Sequence, residues 1–185
     1  MDKWKVLSSK LAFDNPWFKV QQDAIELPNG KIIDDYFMWP EGDVVFTIPV
    51  TVNNQIILVK QYKHAAGEIL IEFPAGYMNK DESPETAARR ELLEETGYDC
   101  KRLIKLFESY NNPTKSIGKY HFFLAEESFM ASENPHHKDE TENIEVLVRS
   151  FKEVYKMLTT NEIKAGSSIA AGFMALQKLN VIHFE

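Results

Sequence analysis

A loop followed by a short acidic helix is encoded in residues 76–98, which read GYMNKDESPETAARRELLEETGY. Ser83 followed by Pro84 predicts an N-cap with proline at the first helical position. Gly97 predicts a left-handed residue just after the helix, because glycine adopts that conformation without strain. The helix is therefore expected over residues 84–96.

Three glutamates crowd one face of this expected helix. With a period of about 3.6 residues, Glu91, Glu94 and Glu95 share a face, and like charges at this spacing repel each other. Arg90 lies four residues before Glu94 and neutralises only part of the charge. Carboxylates without competing His or Cys ligands suit a hard cation such as Mg²⁺ or Mn²⁺. A solvated acidic helix face is the alternative interpretation of the same residues.

The spacing of the whole stretch resembles the Nudix box, G-x₅-E-x₇-R-E-U-x-E-E-x-G-U, in which U is a bulky aliphatic residue. The matching residues are Gly76, Glu82, Arg90, Glu91, Leu92, Glu94, Glu95 and Gly97. Tyr98 departs from the pattern, and we expect only the packing at that position to differ. The chain is thus similar to Nudix hydrolases, and the resemblance implies an α/β/α sandwich with a mixed sheet.

The composition argues against several partners. The chain has 185 residues and a net charge of −7, from 21 basic and 28 acidic residues. No basic stripe is present to neutralise phosphates, so neither nucleic acid nor a membrane is an expected partner. Cys100 is the only cysteine, so no internal disulfide is expected and a cytoplasmic location is predicted. No apolar run predicts a signal peptide or a membrane span.

A small strand-rich subdomain is predicted over residues 1–42, ahead of a Nudix domain over residues 43–185. Residues 18–27 and 31–39 read as strands, and Pro28-Asn29-Gly30 predicts the turn of a hairpin. A hairpin alone is only marginally stable in water, so it has to pack on something. In the branch of the family that the chain resembles, such a sheet exchanges between two subunits, which implies a homodimer.

The rest of the chain mixes strands with three helices, a pattern typical of a layered α/β fold. Strands are predicted over residues 44–52, 55–62, 69–73, 101–110, 119–125 and 144–149. Besides residues 84–96, helices are predicted from a capping box at Ser150 and Glu153 to residue 158, and from Ser167 or Ser168 to residue 179.

Flanking residues resemble the ADP-ribose and nucleotide-sugar pyrophosphatases within the Nudix family. Gln61-Tyr62-Lys63 and residues 71–76, which read IEFPAG, are similar to the QYR and ELPAG runs of that branch. Pro113 lies sixteen residues after Gly97, a spacing that marks the ADP-ribose group. Two departures weaken the assignment to ADP-ribose itself: lysine replaces the usual arginine of QYR, and residues 114–118 read TKSIG where a glycine-rich segment is expected. The nucleotide-sugar assignment is unaffected.

The resemblance also implies metal-binding and catalytic residues. The ligands expected for Mg²⁺, or for Mn²⁺ in its place, are the carbonyl of Ala75 and the carboxylates of Glu91, Glu95 and Glu142. Arg90 is expected to orient the glutamates, and Glu94 to act through a second ion or its waters. Glu140 is the candidate general base, with Glu142 as the alternative candidate.

Five residues are expected to bind the substrate: Phe37, Trp39, Lys63, Glu72 and Pro113. Phe37 and Trp39 offer rings on which a nucleobase can stack, although aromatic residues at alternating positions are more often core. Lys63 offers a single positive charge to a phosphate, without the fork of an arginine. Glu72, at the end of its strand, is expected to contact the metal or a ribose.

The function implied is Mg²⁺-dependent hydrolysis of the diphosphate bond of ADP-ribose or a related nucleoside diphosphate sugar, to a nucleoside monophosphate and a sugar phosphate. A Nudix enzyme for another nucleotide, such as a dinucleotide polyphosphate or a damaged nucleotide, is one alternative; the Pro113 spacing argues against it. A non-catalytic module that binds a nucleotide and regulates a partner is another. Since every carboxylate of the box is present, the enzyme is favoured over this module.

Overall fold

This computed structural model describes residues 1–131 and 143–183, and the chain divides into two compact units. The first unit contains Met1–Asp43 and Ser109–Lys119; the second contains Val44–Glu108 and the described part of Tyr120–Glu185. Residues 109–119 therefore belong to the same unit as the N-terminus, which no local sequence signal indicates. The division into domains at residue 42 stays a prediction.

A three-stranded antiparallel sheet forms the body of the first unit. Its strands are β1 (Lys5–Asn15), β2 (Phe18–Glu26) and β3 (Ile32–Met38), in the order β1-β2-β3. The predicted hairpin of β2 and β3 is confirmed, and Gly30 takes a left-handed conformation in its turn, with φ at 81°. Strand β1 is not predicted from the sequence, because register shifts between Val6 and Ser8 and between Leu11 and Phe13 interrupt its alternation.

The second unit contains a mixed sheet, to which the described residues contribute seven strands. They are β4 (Val44–Thr51), β5 (Gln55–Lys63), β6 (Glu68–Glu72), β7 (Ala75–Tyr77), β8 (Tyr98–Ser109), β9 (Tyr120–Met130) and β10 (Ile144–Ser150). The helices are α1 (Pro84–Thr96), α2 (Phe151–Thr159) and α3 (Gly166–Lys178). The strand order is β10-β5-β4-β9-β8, with β6 paired to β5 and β7 paired to β4. Strand β4 runs parallel to β9 and antiparallel to β5.

Strand β4 separates two layers of the core. Phe46 and Ile48 pack with buried residues of α2 and α3, whereas Val45 packs with Ala87 and Ala88 of α1. Because successive side chains of a strand point to opposite faces of a sheet, α1 covers one face and α2 and α3 cover the other. The predicted α/β/α sandwich with a mixed sheet is confirmed.

Helices α1 and α2 begin as predicted. The Oγ atom of Ser83 accepts a hydrogen bond from the backbone N–H of Thr86 at 3.2 Å, and Gly97 is left-handed, with φ at 73°. Ser150 and Glu153 form the expected capping box, in which each side chain accepts a hydrogen bond from the other residue's backbone N–H. Among the described helices, none combines the length and the apolar character needed to cross a membrane.

Helix α3 begins at Gly166, one residue before the earlier of the two predicted starts, so the predicted helix is confirmed to within one residue. Its N-cap, Ala165, makes no side-chain capping bond. Ser168 is fully buried, and its Oγ atom accepts a hydrogen bond from the backbone N–H of Phe73 at 3.2 Å. Local sequence patterns describe neighbouring residues, and they cannot reveal a hydrogen-bond partner this far away in the chain.

Alanine substitutions of the two serines are expected to differ in effect. Ser168→Ala leaves the buried N–H of Phe73 without its acceptor, and we expect it to lower the free energy of unfolding by about 1–3 kcal/mol. Ser167→Ala is expected to change it by less than about 0.5 kcal/mol, since Ser167 lies in the first turn of α3 without being its N-cap. Urea unfolding of both variants measures the difference, and equal losses would contradict the prediction.

Candidate active site

Strand β7 and helix α1 position the backbone and the carboxylates of the site. In the pairing of β7 with β4, Ala75 lies opposite Phe46 and Gly76 lies opposite Val45. Because β4 is buried, this pairing holds the backbone of both residues at the sheet, where β7 contacts α1. Strand β7 is not predicted from the sequence, since three residues are too few to show the period of a strand.

A cavity of about 370 Å³ opens in the second unit at this place, within the usual size range of small-molecule sites. Residues in its wall include Lys63, Glu72, Ala75, Gly76, Glu91 and Glu95. The structure thus brings together five of the predicted site residues. A larger cavity of about 630 Å³ lies beside the C-terminal end of α3, but none of the described residues in its wall is a carboxylate.

Two glutamates of α1 are packed tightly against the backbone of β7. Glu95 is only 7% exposed, and its Oε2 atom accepts a hydrogen bond from the N–H of Ala75 at 2.9 Å. Gly76 approaches Glu91 so closely that a Cβ atom at this position would lie 2.1 Å from the Cδ atom of the glutamate. Only glycine leaves room for the carboxylate, which accounts for the first glycine of the box.

Arg90 connects the glutamates of the site to the preceding loop. Its Nε and Nη2 atoms donate to the two carboxylate oxygens of Glu82 at 3.0 and 2.9 Å, and its Nη1 atom donates to Glu91 at 2.6 Å and to Glu94 at 2.9 Å. Its Nη2 atom also donates to the carbonyl of Tyr77 at 2.9 Å, a contact that is not predictable from the sequence pattern. Such a network holds Glu91 in one orientation.

Electrostatics strengthens this network. Hydrogen bonds from Arg90 hold the pKa of the Glu82 carboxyl below its ordinary value, despite partial burial. The Glu82 carboxylate in turn raises the pKa of Arg90 above its ordinary value. Both groups are therefore charged across the physiological pH range, and Arg90 carries one positive charge among three carboxylates. Arg90 alone does not neutralise this cluster.

The residues of the cavity fit a hard divalent cation. Glu91 and Glu95 offer carboxylate oxygens, Ala75 lies beside them with its backbone, and Gly76 leaves space for the Glu91 carboxylate. Mg²⁺ and Mn²⁺ prefer such oxygen ligands. Among residues 1–131 and 143–183, no group of three or more acidic, His or Cys side chains is arranged for metal binding. Glu140 and Glu142, predicted as general base and metal ligand, lie outside the described residues.

Lys63 and Glu72 lie in the same cavity wall and form an ion pair. The Nζ atom of Lys63 lies 3.7 Å from the Oε2 atom of Glu72, which is too long for a hydrogen bond. That oxygen is buried and has no hydrogen-bond partner among the described residues. The ammonium group of Lys63 is partly exposed, so its donors can turn toward a bound phosphate.

The other three predicted substrate-binding residues belong to the first unit. Phe37 and Trp39 are 42% and 37% exposed, and the ring of Trp39 lies 5.5 Å from the ring of Phe18. Both rings thus retain exposed surface, unlike aromatic residues in a closed core. Pro113 is exposed. Their roles in substrate binding stay predictions.

Two models of protein families match the chain. Residues 41–170 match the model of the NUDIX domain, and residues 4–38 match a model described as the nucleoside diphosphate sugar hydrolase N-terminal domain. The chain therefore belongs to the Nudix family.

Relatives with known names extend over most of the chain. An ADP-ribose pyrophosphatase of Bacillus subtilis is 32% identical over 175 residues, which cover 94% of each chain. A methanol dehydrogenase activator of Bacillus methanolicus is 29% identical over the same coverage. A GDP-mannose pyrophosphatase of Escherichia coli is 37% identical over 121 residues, which cover 62% of each chain. A crystal structure described as an ADP compounds hydrolase has the same fold, with a TM-score of 0.85 over 98% of this chain and 96% of that chain at 22% identity.

Proposed function

We propose that the protein is a Mg²⁺-dependent hydrolase of ADP-ribose or a related nucleoside diphosphate sugar, which it cleaves to a nucleoside monophosphate and a sugar phosphate. The observation that carries this proposal is the convergence of Glu91, Glu95 and Lys63 on one cavity. Carboxylates for a metal and a cation for a phosphate are the groups that diphosphate hydrolysis requires. The names of two relatives, an ADP-ribose pyrophosphatase and a GDP-mannose pyrophosphatase, support it.

Oxygen ligands would hold the metal in the cavity. We assign this role to Glu91, Glu95 and the carbonyl of Ala75, and also to Glu142. When bound, Mg²⁺, or Mn²⁺ in its place, neutralises charge on the diphosphate oxygens and orients them for attack by water. Mg²⁺ is the metal proposed for the cell, since it suits a site of carboxylate, carbonyl and water ligands.

Protein side chains supply the remaining parts of the reaction. Arg90 keeps the carboxylate of Glu91 oriented, and Lys63 binds a phosphate of the substrate. Glu94 shares the Nη1 atom of Arg90 and acts through a second ion or its waters. Glu140 takes a proton from the attacking water, and Glu142 is the alternative base.

Substitution of Arg90 tests its orienting role. Arg90→Lys removes the fork that reaches Glu82 while keeping the charge, and we expect kcat/KM to fall about 10- to 100-fold. Arg89→Lys is the matched control on the same helix. In the described chain, the side chain of Arg89 donates hydrogen bonds to Asp99 and to the carbonyl of Cys100, and to none of the glutamates of the site. Steady-state kinetics of both variants measures the effect, and equal losses would contradict it.

The first unit supplies base recognition and an interface in this proposal. Phe37 and Trp39 stack on the nucleobase, and Pro113 lies in the loop that follows β8.

Exposed apolar residues of the small sheet support a homodimer, since their burial would stabilise an interface: Val6, Leu7, Leu11, Phe13, Phe18 and Ile32. Sedimentation equilibrium should give twice the chain mass of 21.3 kDa. A single-chain mass at micromolar concentration would contradict the dimer.

The cytoplasm is the proposed location. Cys100 is the only cysteine of the chain and is buried as a free thiol, so this sequence offers no internal disulfide for an oxidising compartment to form. Fractionation of cells that express the chain tests this proposal, and recovery of the chain outside the cytoplasm would contradict it.

A substrate panel tests the proposed function directly. The purified protein is incubated with Mg²⁺ and ADP-ribose, ADP-glucose, UDP-glucose, GDP-mannose, diadenosine polyphosphates or NADH, and products are separated by chromatography. We expect one nucleoside diphosphate sugar to be cleaved to a nucleoside monophosphate well above the others. Preferential cleavage of a dinucleotide would favour the alternative Nudix substrate. Absence of cleavage with any divalent metal would reject the enzyme.

A regulatory role is the second candidate, and one relative favours it. The methanol dehydrogenase activator covers 94% of the chain, so proteins of this architecture include one named for its effect on another enzyme. Absence of cleavage together with tight nucleotide binding, measured by calorimetry, would support this candidate. The carboxylates at the cavity favour hydrolysis.

A further inference from the structure

Residues 114–119 follow strand β8 in the sequence but are bonded to the end of β3 in the first unit. The N–H of Trp39 donates to the carbonyl of Lys115 at 2.6 Å, and the N–H of Ile117 donates to the carbonyl of Trp39 at 3.4 Å. These bonds form a parallel bridge between Trp39 and Ser116. Both backbone polar groups of Trp39 are therefore bound by the 114–119 segment.

Side chains add further attachments beside this bridge. The hydroxyl of Tyr36 donates to the carbonyl of Thr114 at 2.7 Å. The Nζ atom of Lys115 donates to the carbonyl of Phe37 at 3.2 Å and lies 4.9 Å from the centre of the Tyr36 ring, in a cation–π contact. The 114–119 segment thus binds the backbone of both predicted stacking residues, Phe37 and Trp39.

A buried hydrogen bond anchors the segment. The Oγ atom of Ser116 donates to the Oε2 atom of Glu41 at 2.7 Å, and Glu41 is only 7% exposed. Gly118 approaches the backbone closely, since a Cβ atom there would lie 2.5 Å from the carbonyl oxygen of Gly42. A polar side chain buried in this way favours one register of the segment, because any shift would remove this hydrogen bond from the side chain of Glu41.

The anchored backbone presents the indole ring of Trp39 to solvent. Phe18 contacts the ring at 5.5 Å, while the residue remains 37% exposed. A ring held on a fixed backbone loses little conformational freedom when a base stacks on it, so less binding free energy is spent on ordering it. The residues that make these attachments belong to the TKSIG run, which departs from a glycine-rich pattern.

We propose that the 114–119 segment positions Trp39 for nucleobase binding, with Lys115 and Ser116 as positioning residues. This inference rests on the proposed function, because that function identifies the ligand as a nucleotide. Neither residue takes part in the chemistry of hydrolysis. Lys115 and Ser116 affect the affinity for the base by holding Trp39 in position.

A double-mutant cycle tests the proposal. Binding of ADP in the presence of Mg²⁺ is measured by calorimetry for Ser116→Ala, Lys115→Met, Trp39→Ala and the two doubles with Trp39→Ala. We expect Trp39→Ala to weaken the Kd about 10-fold or more, as removal of a stacking ring does. Ser116→Ala and Lys115→Met should each weaken it about 3- to 5-fold alone, and not further in the Trp39→Ala background. Ser167→Ala and Lys152→Met are the matched controls.

Kinetics separates positioning from loss of structure. With a cleaved substrate, KM should rise with the Kd while kcat changes less than about 2-fold. Lys115 is exposed, so its variant should fold even where Ser116→Ala does not. The proposal would be overturned if both positioning variants had an unchanged Kd, or if Trp39→Ala left the Kd unchanged. It would also be overturned if Ser116→Ala and Lys115→Met weakened the Kd as much in the Trp39→Ala background as they do alone. If the binding cycle holds while the panel of sugars is not cleaved, the proposed hydrolysis fails and the positioning role stands.

Discussion

Glu95→Gln is expected to lower kcat/KM by more than about 100-fold while the fold is retained. Residues that only support a metal ligand typically contribute about 10- to 100-fold, and we assign Glu95 as a ligand itself. The glutamine removes the negative charge but keeps an oxygen that can accept the hydrogen bond from the N–H of Ala75. The loss of activity should therefore come without a large loss of stability. Steady-state kinetics and urea unfolding measure the two quantities.

Glu85→Gln is the matched control for this substitution. Glu85 lies in the first turn of the same helix and is exposed, so the same chemical change should leave activity within about 2-fold. Thermal unfolding with and without Mg²⁺ gives a second measurement, because a cation that binds the folded state raises Tm. We expect the shift in the wild type and in Glu85→Gln, and a much smaller shift in Glu95→Gln. Full activity of Glu95→Gln would reject the metal site.

Gly76→Ala is expected to reduce activity by a similar factor, although it changes no charged group. The new Cβ atom would lie 2.1 Å from the Cδ atom of Glu91, so either the carboxylate or the backbone of β7 has to move. Such overpacking typically costs about 1–3 kcal/mol of stability. Since Glu91 is held on its other side by Arg90, displacement also disturbs the network that orients it. Kinetics, urea unfolding and the Tm shift with Mg²⁺ measure the effect.

Gly166→Ala provides the comparison for this variant. A Cβ atom at Gly166 meets no atom within 4 Å, and the residue lies at the start of α3, where alanine is well tolerated. We expect its activity and its Tm shift with Mg²⁺ to match those of the wild type. If Gly76→Ala also retained wild-type activity, the close packing of Gly76 on Glu91 would have no part in the function.

Features that depend on neighbours in the sequence were predicted correctly. Ser83 and Gly97 predicted both ends of α1, and Ser150 with Glu153 predicted the start of α2, because capping uses atoms within one helical turn. Alternation and turn residues likewise located most strands. The spacing of the box placed the glutamates on one face of α1, and Glu91 and Glu95 line one cavity.

Features that depend on distant partners were not predicted from the sequence. No local signal in the sequence indicates that the hydroxyl of Ser168 accepts a hydrogen bond from the backbone N–H of Phe73. Two register shifts in the pairing of β1 with β2 interrupt the alternation of apolar and polar residues in β1. Strand β7 has only three residues, which is too short to show a period. In each case the deciding contact joins residues that local patterns do not compare.

The sequence by itself determined the family and the helix that carries the glutamates, because spacing along one helix fixes which side chains share a face. Only the tertiary structure showed that Gly76 packs on Glu91 and that the 114–119 segment binds the backbone of Trp39. These contacts arise from strand pairing and close packing between segments that are separate in the chain. A local pattern contains no information about which distant atoms will meet, so only the folded chain reveals them.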